Sequence, residues 1–198
     1  MIYYLSLVLL WAGFYASHSI LASVKVKRKL EGVWGDGMKW YRLLYSLISL
    51  LFLGIILWFS TQVPYRQLMP NSPFGTYVGY MLATFGTIIL VKSGKSISIK
   101  SFLGIVPEKE KSQKLITEGL YKYTRHPLYA GLLLIFLGYF FVSPTLSVTI
   151  HCICLIVYLP FGIYFEEKNL VSIFGSDYQD YQDQVPQFFP RIGKKKEA

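Results

Sequence analysis

Five long segments without a charged side chain most constrain how this chain can fold. They are Ile2–Ala22, Leu43–Ser60, Phe74–Val91, Leu128–Val142 and Leu146–Phe165. Four of them have the length that a helix needs to span a bilayer. The exception is Leu128–Val142, which would reach only roughly 22 Å as a helix. We expect that short segment to span as well, because polar loops flank it on both sides. Backbone polar groups must be satisfied within lipid, so the sequence predicts an all-α integral membrane protein with about five transmembrane helices.

The composition agrees with this fold class. The chain has 198 residues, of which 53% are hydrophobic and only 16% are charged, and this excludes an ordinary soluble domain. Neither a repeat nor a linker divides the chain, so we expect residues 1–198 to form a single domain that ends in a helical hairpin and a cytoplasmic tail. In that tail Leu170, Phe174, Tyr178 and Tyr181 recur at spacings of three and four residues, which predicts a short tail helix.

The basic residues alternate between the connections of these spans. They are dense after the first and third spans and in the tail: Lys25, Lys27, Arg28, Lys29, Lys39, Arg42; Lys92, Lys95, Lys100, Lys109, Lys111, Lys114, Lys122, Arg125; Lys168, Arg191, Lys194, Lys195, Lys196. Only Arg66 lies between the second and third spans. The positive-inside rule then predicts a multi-pass protein of the cell membrane with its amino terminus outside and its carboxyl terminus cytoplasmic. The net charge of +9 follows from this topology and does not indicate a nucleic-acid partner.

Two polar motifs flank the predicted hairpin. Arg125 and His126 precede Pro127, which suits the first position of a helix, and His126 is pushed out of helical geometry by the proline. The free amides and the positive dipole of a helix start favour an anion. Glu166 and Glu167 end the next span, and an antiparallel hairpin returns them to the level of His126.

Charged groups at membrane depth are functional candidates, because leaving them there is costly. The two neighbouring carboxylates repel, so at least one needs a partner, which is an internal salt bridge from Arg125, a bound cation or a ligand with hydroxyl donors. A pocket with both an anion pole and a cation pole suits a zwitterion with a ribose and a positive centre, such as S-adenosylmethionine. A plain interfacial anchor at Arg125 and His126 remains the alternative. Cys152 and Cys154 point to different faces of one helix, and we expect no metal site.

The motifs resemble those of the isoprenylcysteine carboxyl methyltransferase family and its phospholipid N-methyltransferase relatives. The matching residues are Gly119-Leu120-Tyr121, Arg125-His126-Pro127-Leu128-Tyr129-Ala130-Gly131, Glu166-Glu167, Leu170, Phe174-Gly175, Tyr178, Tyr181, Val185-Pro186 and Pro190. They cover about the last 85 residues of the chain. The stretches His18–Ser23 and Tyr41–Tyr45 are similar to bacterial membrane methyltransferases of this superfamily, including the methanethiol S-methyltransferase type.

The resemblance implies an S-adenosylmethionine site at the cytoplasmic mouth of the last two spans. By matched position, His126 and the amides around Tyr129 would hold the methionine end, with Arg125 and Pro127 in the same motif. Glu166 and Glu167 would hold the ribose or the amino group. The residues Gly119, Leu120 and Tyr121 would line the pocket. The resemblance also implies methyl transfer without a metal and substrate entry sideways from the bilayer.

The acceptor is not read from these motifs. We expect a lipid-soluble or small apolar molecule that bears a carboxylate, a thiol or an amine, in contact with membrane lipids. His18 lies near the predicted cytoplasmic end of the first span, on the same side of the membrane as the expected cofactor site. It is either part of the substrate pocket or a histidine hydrogen-bonded within the bundle. Two other functions stay open at this point: a membrane reductase that uses a nicotinamide cofactor, and a non-catalytic protein that binds a lipid or metabolite.

The charge pattern makes a topology prediction. Reporter fusions at the two ends of the chain should place Met1 outside and Lys196 in the cytoplasm, because the basic connections alternate across five spans. If both ends are cytoplasmic, one of the five spans does not cross the bilayer, and the short segment Leu128–Val142 is the first to doubt.

Overall fold

The structure is a computed structural model that describes residues 1–95, 105 and 114–188. The α-helices of this part are α1 (Ile2–Ala22), α2 (Val24–Trp34), α3 (Tyr41–Ser60), α4 (Pro73–Lys95), α5 (Pro127–Val142), α6 (Leu146–Phe174) and α7 (Ser176–Gln184). Short 3-10 helices cover Gly35–Trp40 and Gly119–Lys122. No strand is present among the described residues, so the all-α prediction is confirmed. Pro190, Arg191 and the lysines at 194–196 lie outside the described residues.

In the part of the chain that the structure describes, four helices are long and apolar enough to cross a membrane. They are α1, α3 with the turn before it, α4 and α6. The helix α5 has only 16 residues, or about 24 Å of length, and its crossing of the bilayer stays a prediction. Proline at its first position removes no hydrogen bond, because the first amides of a helix have no partner within it.

Small residues let α4 and α5 pack backbone against backbone. A Cβ atom added at Gly138 would lie 2.6 Å from the Gly79 carbonyl oxygen, and one added at Gly86 would lie 2.5 Å from the Gly131 carbonyl oxygen. Close approach of this kind holds membrane helices together through packing, since lipid provides no hydrophobic drive between them. The glycines of α4 therefore fix where α5 begins and where its polar first turn lies.

A buried polar triad joins α1, α3 and α6. The Trp11 indole N–H donates to His151 Nδ1 at 2.7 Å, so His151 carries its proton on Nε2 and donates it to Ser60 Oγ at 3.1 Å. The Ser60 hydroxyl in turn donates to the Ile56 carbonyl oxygen at 2.7 Å. Leu7 and Ile56 pack against Trp11 in the same core. All polar groups of the triad are satisfied, and His151 is a structural residue of the bundle.

Residues 168–184 form parts of two helices where the sequence predicts one short tail helix. Leu170 and Phe174 belong to α6, which continues nine residues beyond Phe165, the predicted end of the span. The helix stops at Gly175, whose φ of +59° lies in the left-handed region that favours glycine. The chain then turns into α7, whose buried Tyr178 and Tyr181 pack against Leu170 and Phe174. The spacing of the apolar residues was therefore right, but it describes two helices that fold on one another.

The glycine contact makes a stability prediction. Gly138→Ala should lower the free energy of unfolding by about 1–3 kcal/mol, because its methyl group meets backbone atoms of α4 that cannot rotate away. Gly54→Ala in α3 is the matched control, since nothing lies within 4 Å of an added Cβ there. That control should be neutral or slightly stabilising. Thermal unfolding in detergent measures both, and equal behaviour of the two variants would contradict the packing of α4 on α5.

Candidate functional site

A cavity of about 480 Å³ opens at the end of the bundle where α1 and α4 end and α3 and α5 begin. Its volume is in the range of small-molecule and cofactor pockets. Apolar side chains form most of the wall, and the polar groups come from five different elements: His18 and Ser19; Tyr45; Tyr121; Arg125, His126 and Tyr129; Tyr158, Glu166 and Asn169. The described cavity therefore brings both predicted motifs together with residues of the first two spans.

A network centred on Glu167 lies at the polar end of this cavity. Its Oε1 atom accepts hydrogen bonds from Arg125 Nε at 2.8 Å and from His126 Nε2 at 2.9 Å. Its Oε2 atom accepts one from Gln182 Nε2 at 2.9 Å. The side chains of Arg125 and Glu167 are only 9% and 12% exposed, so water does little to screen this charge pair. The salt bridge from Arg125, which the sequence suggested as one possible partner of the carboxylates, is thus formed with Glu167.

The same arginine ties the start of α5 to the end of the described chain. Arg125 Nη1 donates to the carbonyl oxygens of Gln182 and Val185, and the Arg125 amide donates to the Pro186 carbonyl at 2.9 Å. The His126 amide donates to the Gln187 carbonyl at 3.2 Å. Because these bonds hold the two residues before Pro127 against the segment after α7, the first turn of α5 is fixed in position.

Tyrosines around the network act as neutral donors. Burial raises the pKa of Tyr181 to about 12, and its hydroxyl donates to the Tyr121 carbonyl oxygen at 2.7 Å. Burial also raises the pKa of Tyr121 to about 12, with the negative charge of Glu166 as a second cause. Both phenols therefore keep their protons at neutral pH, and Tyr121 offers the cavity a hydrogen-bond donor and a flat ring.

Glu166 is the acidic residue of the cavity wall, and it is not used by the network. Its side chain is 44% exposed, and the Tyr129 hydroxyl interacts with the carboxylate, whereas the Oε2 atom is buried and accepts no hydrogen bond from the described residues. His126 Nδ1 lies 3.7 Å from this oxygen, which is too long for a hydrogen bond. A buried carboxylate oxygen without a partner is costly, so this position is suited to accept a bond from a ligand.

The structure brings most of the predicted site residues to one wall. Those that line the cavity are Tyr121, Arg125, His126, Pro127, Tyr129, Glu166 and His18. Gly119, Leu120 and Glu167 are not among the lining residues. Gly119 instead begins the 3-10 turn with a φ of +65°, and Glu167 faces Arg125. Whether these residues bind a cofactor stays a prediction.

Several lining residues were not predicted from the sequence. Asn169 lies one helical turn after Glu166 on α6, and that spacing of three residues was the signal that could have indicated it. Tyr45 lies in the stretch that resembles bacterial methyltransferases, but no role was assigned to it. Ser19 and Tyr158 form a hydrogen bond at 3.0 Å across α1 and α6, a tertiary contact that no local pattern indicates.

Comparison with known proteins gives the family. Residues 74–177, more than half of the chain, match the phospholipid methyltransferase family. The chain belongs to that family. The match includes α5, α6 and the side chains of Arg125, His126 and Glu167, and membership makes the protein a membrane methyltransferase rather than a nicotinamide-dependent reductase.

Individual relatives cover different parts of the chain. A methanethiol S-methyltransferase of Crocosphaera subtropica is 30% identical over 92% of this chain and 72% of its own length. One from Pseudomonas deceptionensis is 28% identical over 93% of this chain and 72% of its own length. A protein-S-isoprenylcysteine O-methyltransferase of Schizosaccharomyces pombe is 36% identical over 47% of this chain and 40% of its own length. No solved structure matches.

The family implies S-adenosylmethionine as the methyl donor. Among the residues that the structure describes, no group of three or more His, Cys, Asp and Glu side chains is arranged to hold a metal ion.

The network makes a stability prediction that does not involve a ligand. Glu167→Gln should lower the free energy of unfolding by about 1.5–3 kcal/mol, because Arg125 loses its carboxylate partner in a poorly hydrated place. Glu31→Gln, at an exposed position of α2, is the matched control and should be silent. Thermal unfolding without ligand measures both. Identical melting temperatures for the two variants would mean that Glu167 does not hold the fold together.

Proposed function

We propose that this protein transfers a methyl group from S-adenosylmethionine to a small apolar thiol at the cytoplasmic face of the membrane. The single observation that carries the proposal is the unpartnered Glu166 carboxylate oxygen in a cavity of cofactor size, next to the polar first turn of α5. Supporting observations are the family match and the basic connections at this end of the bundle.

The residues present fit the chemical groups of this methyl donor. A buried carboxylate oxygen without a hydrogen bond suits hydroxyl or ammonium donors, which a ribose and an amino-acid end both carry. The start of α5 carries unpaired amides, next to the cation of Arg125, and suits a carboxylate. Tyr121 and Tyr129 add aromatic rings to an otherwise apolar wall, which suits a purine ring.

We therefore assign the parts of the ligand as follows. Glu166 accepts from the ribose or the amino group, and the first turn of α5 with His126 holds the carboxylate end. Glu167 is a positioning residue, because its oxygens are already engaged by Arg125, His126 and Gln182. When bound, S-adenosylmethionine supplies a methyl group on a positively charged sulfur. The contribution of the protein is alignment of the two sulfur atoms and exclusion of water by the apolar wall.

The share of this chain that each kind of relative aligns with favours a thiol acceptor over a carboxylate acceptor. The S-methyltransferase relatives align with 92% and 93% of the chain, too much to leave out α3 or the end of α1 that carries His18 and Ser19. The isoprenylcysteine O-methyltransferase match covers 95 residues, too few to contain both α1 and α6. Since α1 and α3 contribute His18, Ser19 and Tyr45 to the cavity, the acceptor side of the site follows the S-methyltransferase type.

The cofactor assignment makes a binding prediction. S-adenosylhomocysteine should raise the melting temperature of the wild-type protein, since a ligand at a hundredfold excess over its dissociation constant adds about 2.7 kcal/mol to the folded state. NADPH should have little effect. Glu166→Gln should unfold like the wild type without ligand but bind S-adenosylhomocysteine roughly ten- to a hundredfold more weakly, because a charged acceptor is lost.

Glu31→Gln serves again as the control and should bind normally. Unchanged affinity in Glu166→Gln would refute the assigned role of this carboxylate. Stabilisation by NADPH without any by S-adenosylhomocysteine would refute the cofactor itself.

A further inference from the structure

The acceptor side of the cavity carries an imidazole that the binding of the methyl donor does not use. His18 of α1 and Tyr45 of α3 both line the cavity, together with the motif residues of α5 and α6. His18 Nε2 lies 3.3 Å from the Tyr45 hydroxyl, and His18 Nδ1 lies 3.1 Å from Ser49 Oγ. Ser49 is not among the lining residues, so this chain of hydrogen bonds borders the cavity through His18 and Tyr45.

These contacts are compatible with a proton relay. When Nδ1 carries the imidazole proton, it donates to Ser49 Oγ, and the free lone pair on Nε2 accepts from the Tyr45 hydroxyl. The phenol oxygen then keeps lone pairs that can accept a proton from a molecule in the cavity. Ser49 thus orients the ring in the way that a second hydrogen bond orients catalytic and metal-bound histidines.

A thiol acceptor needs such a relay. Ordinary thiols are largely protonated at neutral pH, whereas the thiolate is the nucleophile. An apolar wall stabilises a free thiolate poorly, so the proton must be taken up close to the sulfur atom.

We propose that His18, acting through Tyr45, is the base that deprotonates a neutral thiol acceptor. This inference rests on the proposed function and adds the substrate class and the base to it. The S–H bond breaks and leaves its electron pair on sulfur. The proton goes to the Tyr45 oxygen as the Tyr45 proton goes to His18 Nε2. The products are a thiolate and an imidazolium, and their charges balance within the cavity.

Glu166 and the other two histidines have other partners or other assigned roles. His126 donates to Glu167 and lies at the start of α5. Glu166 is assigned to the methyl donor. His151 is bonded on both nitrogens to Trp11 and Ser60 and is not among the lining residues. Among the described histidines, His18 is thus the one with a path to the acceptor side.

The test compares a neutral and an ionised thiol of the same size. At about pH 8, cyclohexanethiol is largely protonated and benzenethiol is largely ionised. His18→Gln keeps an amide donor and acceptor but cannot take up a proton. It should lower kcat/KM for cyclohexanethiol by about 10²–10⁴-fold and for benzenethiol by less than about tenfold. Tyr45→Phe should show the same contrast.

Ser17→Ala is the matched control. Ser17 is adjacent to His18, but its hydroxyl donates to the Phe14 carbonyl within the same helix. This variant should leave kcat/KM unchanged for both acceptors. Thermal stabilisation by S-adenosylhomocysteine should be normal in all three variants. Equal losses with both thiols, or no loss with either, would overturn the role of His18 as a base. If the wild type binds S-adenosylhomocysteine but methylates neither thiol, the thiol acceptor and the relay are both wrong, whereas the cofactor site stands.

Discussion

The pairing of Glu167 with Arg125 and His126 is the constraint on which the site depends. A carboxylate at the end of a membrane bundle must be paired, because hydration there is poor and an isolated charge is costly. Glu167 meets that requirement with both oxygens, and the arginine that serves it also holds the carbonyl groups of Gln182 and Val185. The start of α5, the end of α6 and the segment after α7 are therefore locked together. Glu166 is turned by about 100° around the helix from Glu167. It lines the cavity with one oxygen still unpartnered.

The rest of the bundle places two chemically different walls around that cavity. The glycine contacts hold α5 against α4, and the triad of Trp11, His151 and Ser60 holds α1 and α3 against α6. The wall from α5 and α6 belongs to the part of the chain that matches the phospholipid methyltransferase family. The wall from α1 and α3 lies outside residues 74–177 and carries His18 and Tyr45. In this account the wall from α5 and α6 binds the methyl donor, and the wall from α1 and α3 selects and activates the acceptor. Acceptors can therefore differ between members of the family while the donor site stays the same.

The sequence predicted the features that depend on local chemistry. Hydrophobic length indicated the spans, and Pro127 indicated the start of α5 to within one residue. It did not predict α2, whose Val24–Trp34 mixes lysines with valines over only 11 residues and was treated as a basic connection. The sequence also placed the end of the last span at Phe165, before the first charged residue. Glutamates are good helix formers, so the helix continues through them to Phe174 and is capped by Gly175. Which glutamate faces the cavity, and that Tyr45 meets His18, depend on tertiary contacts that no local pattern encodes.

The most direct test of the central claim is an experimental structure with S-adenosylhomocysteine bound. The account predicts that the ligand occupies the cavity between α1, α3, α5 and α6, with a ribose hydroxyl or the ammonium group within hydrogen-bond distance of Glu166 and with the Arg125–Glu167 pair intact. Its sulfur atom should face the wall that carries His18 and Tyr45. A ligand that breaks the pair to bind Glu167, or that lies outside this cavity, would contradict the account.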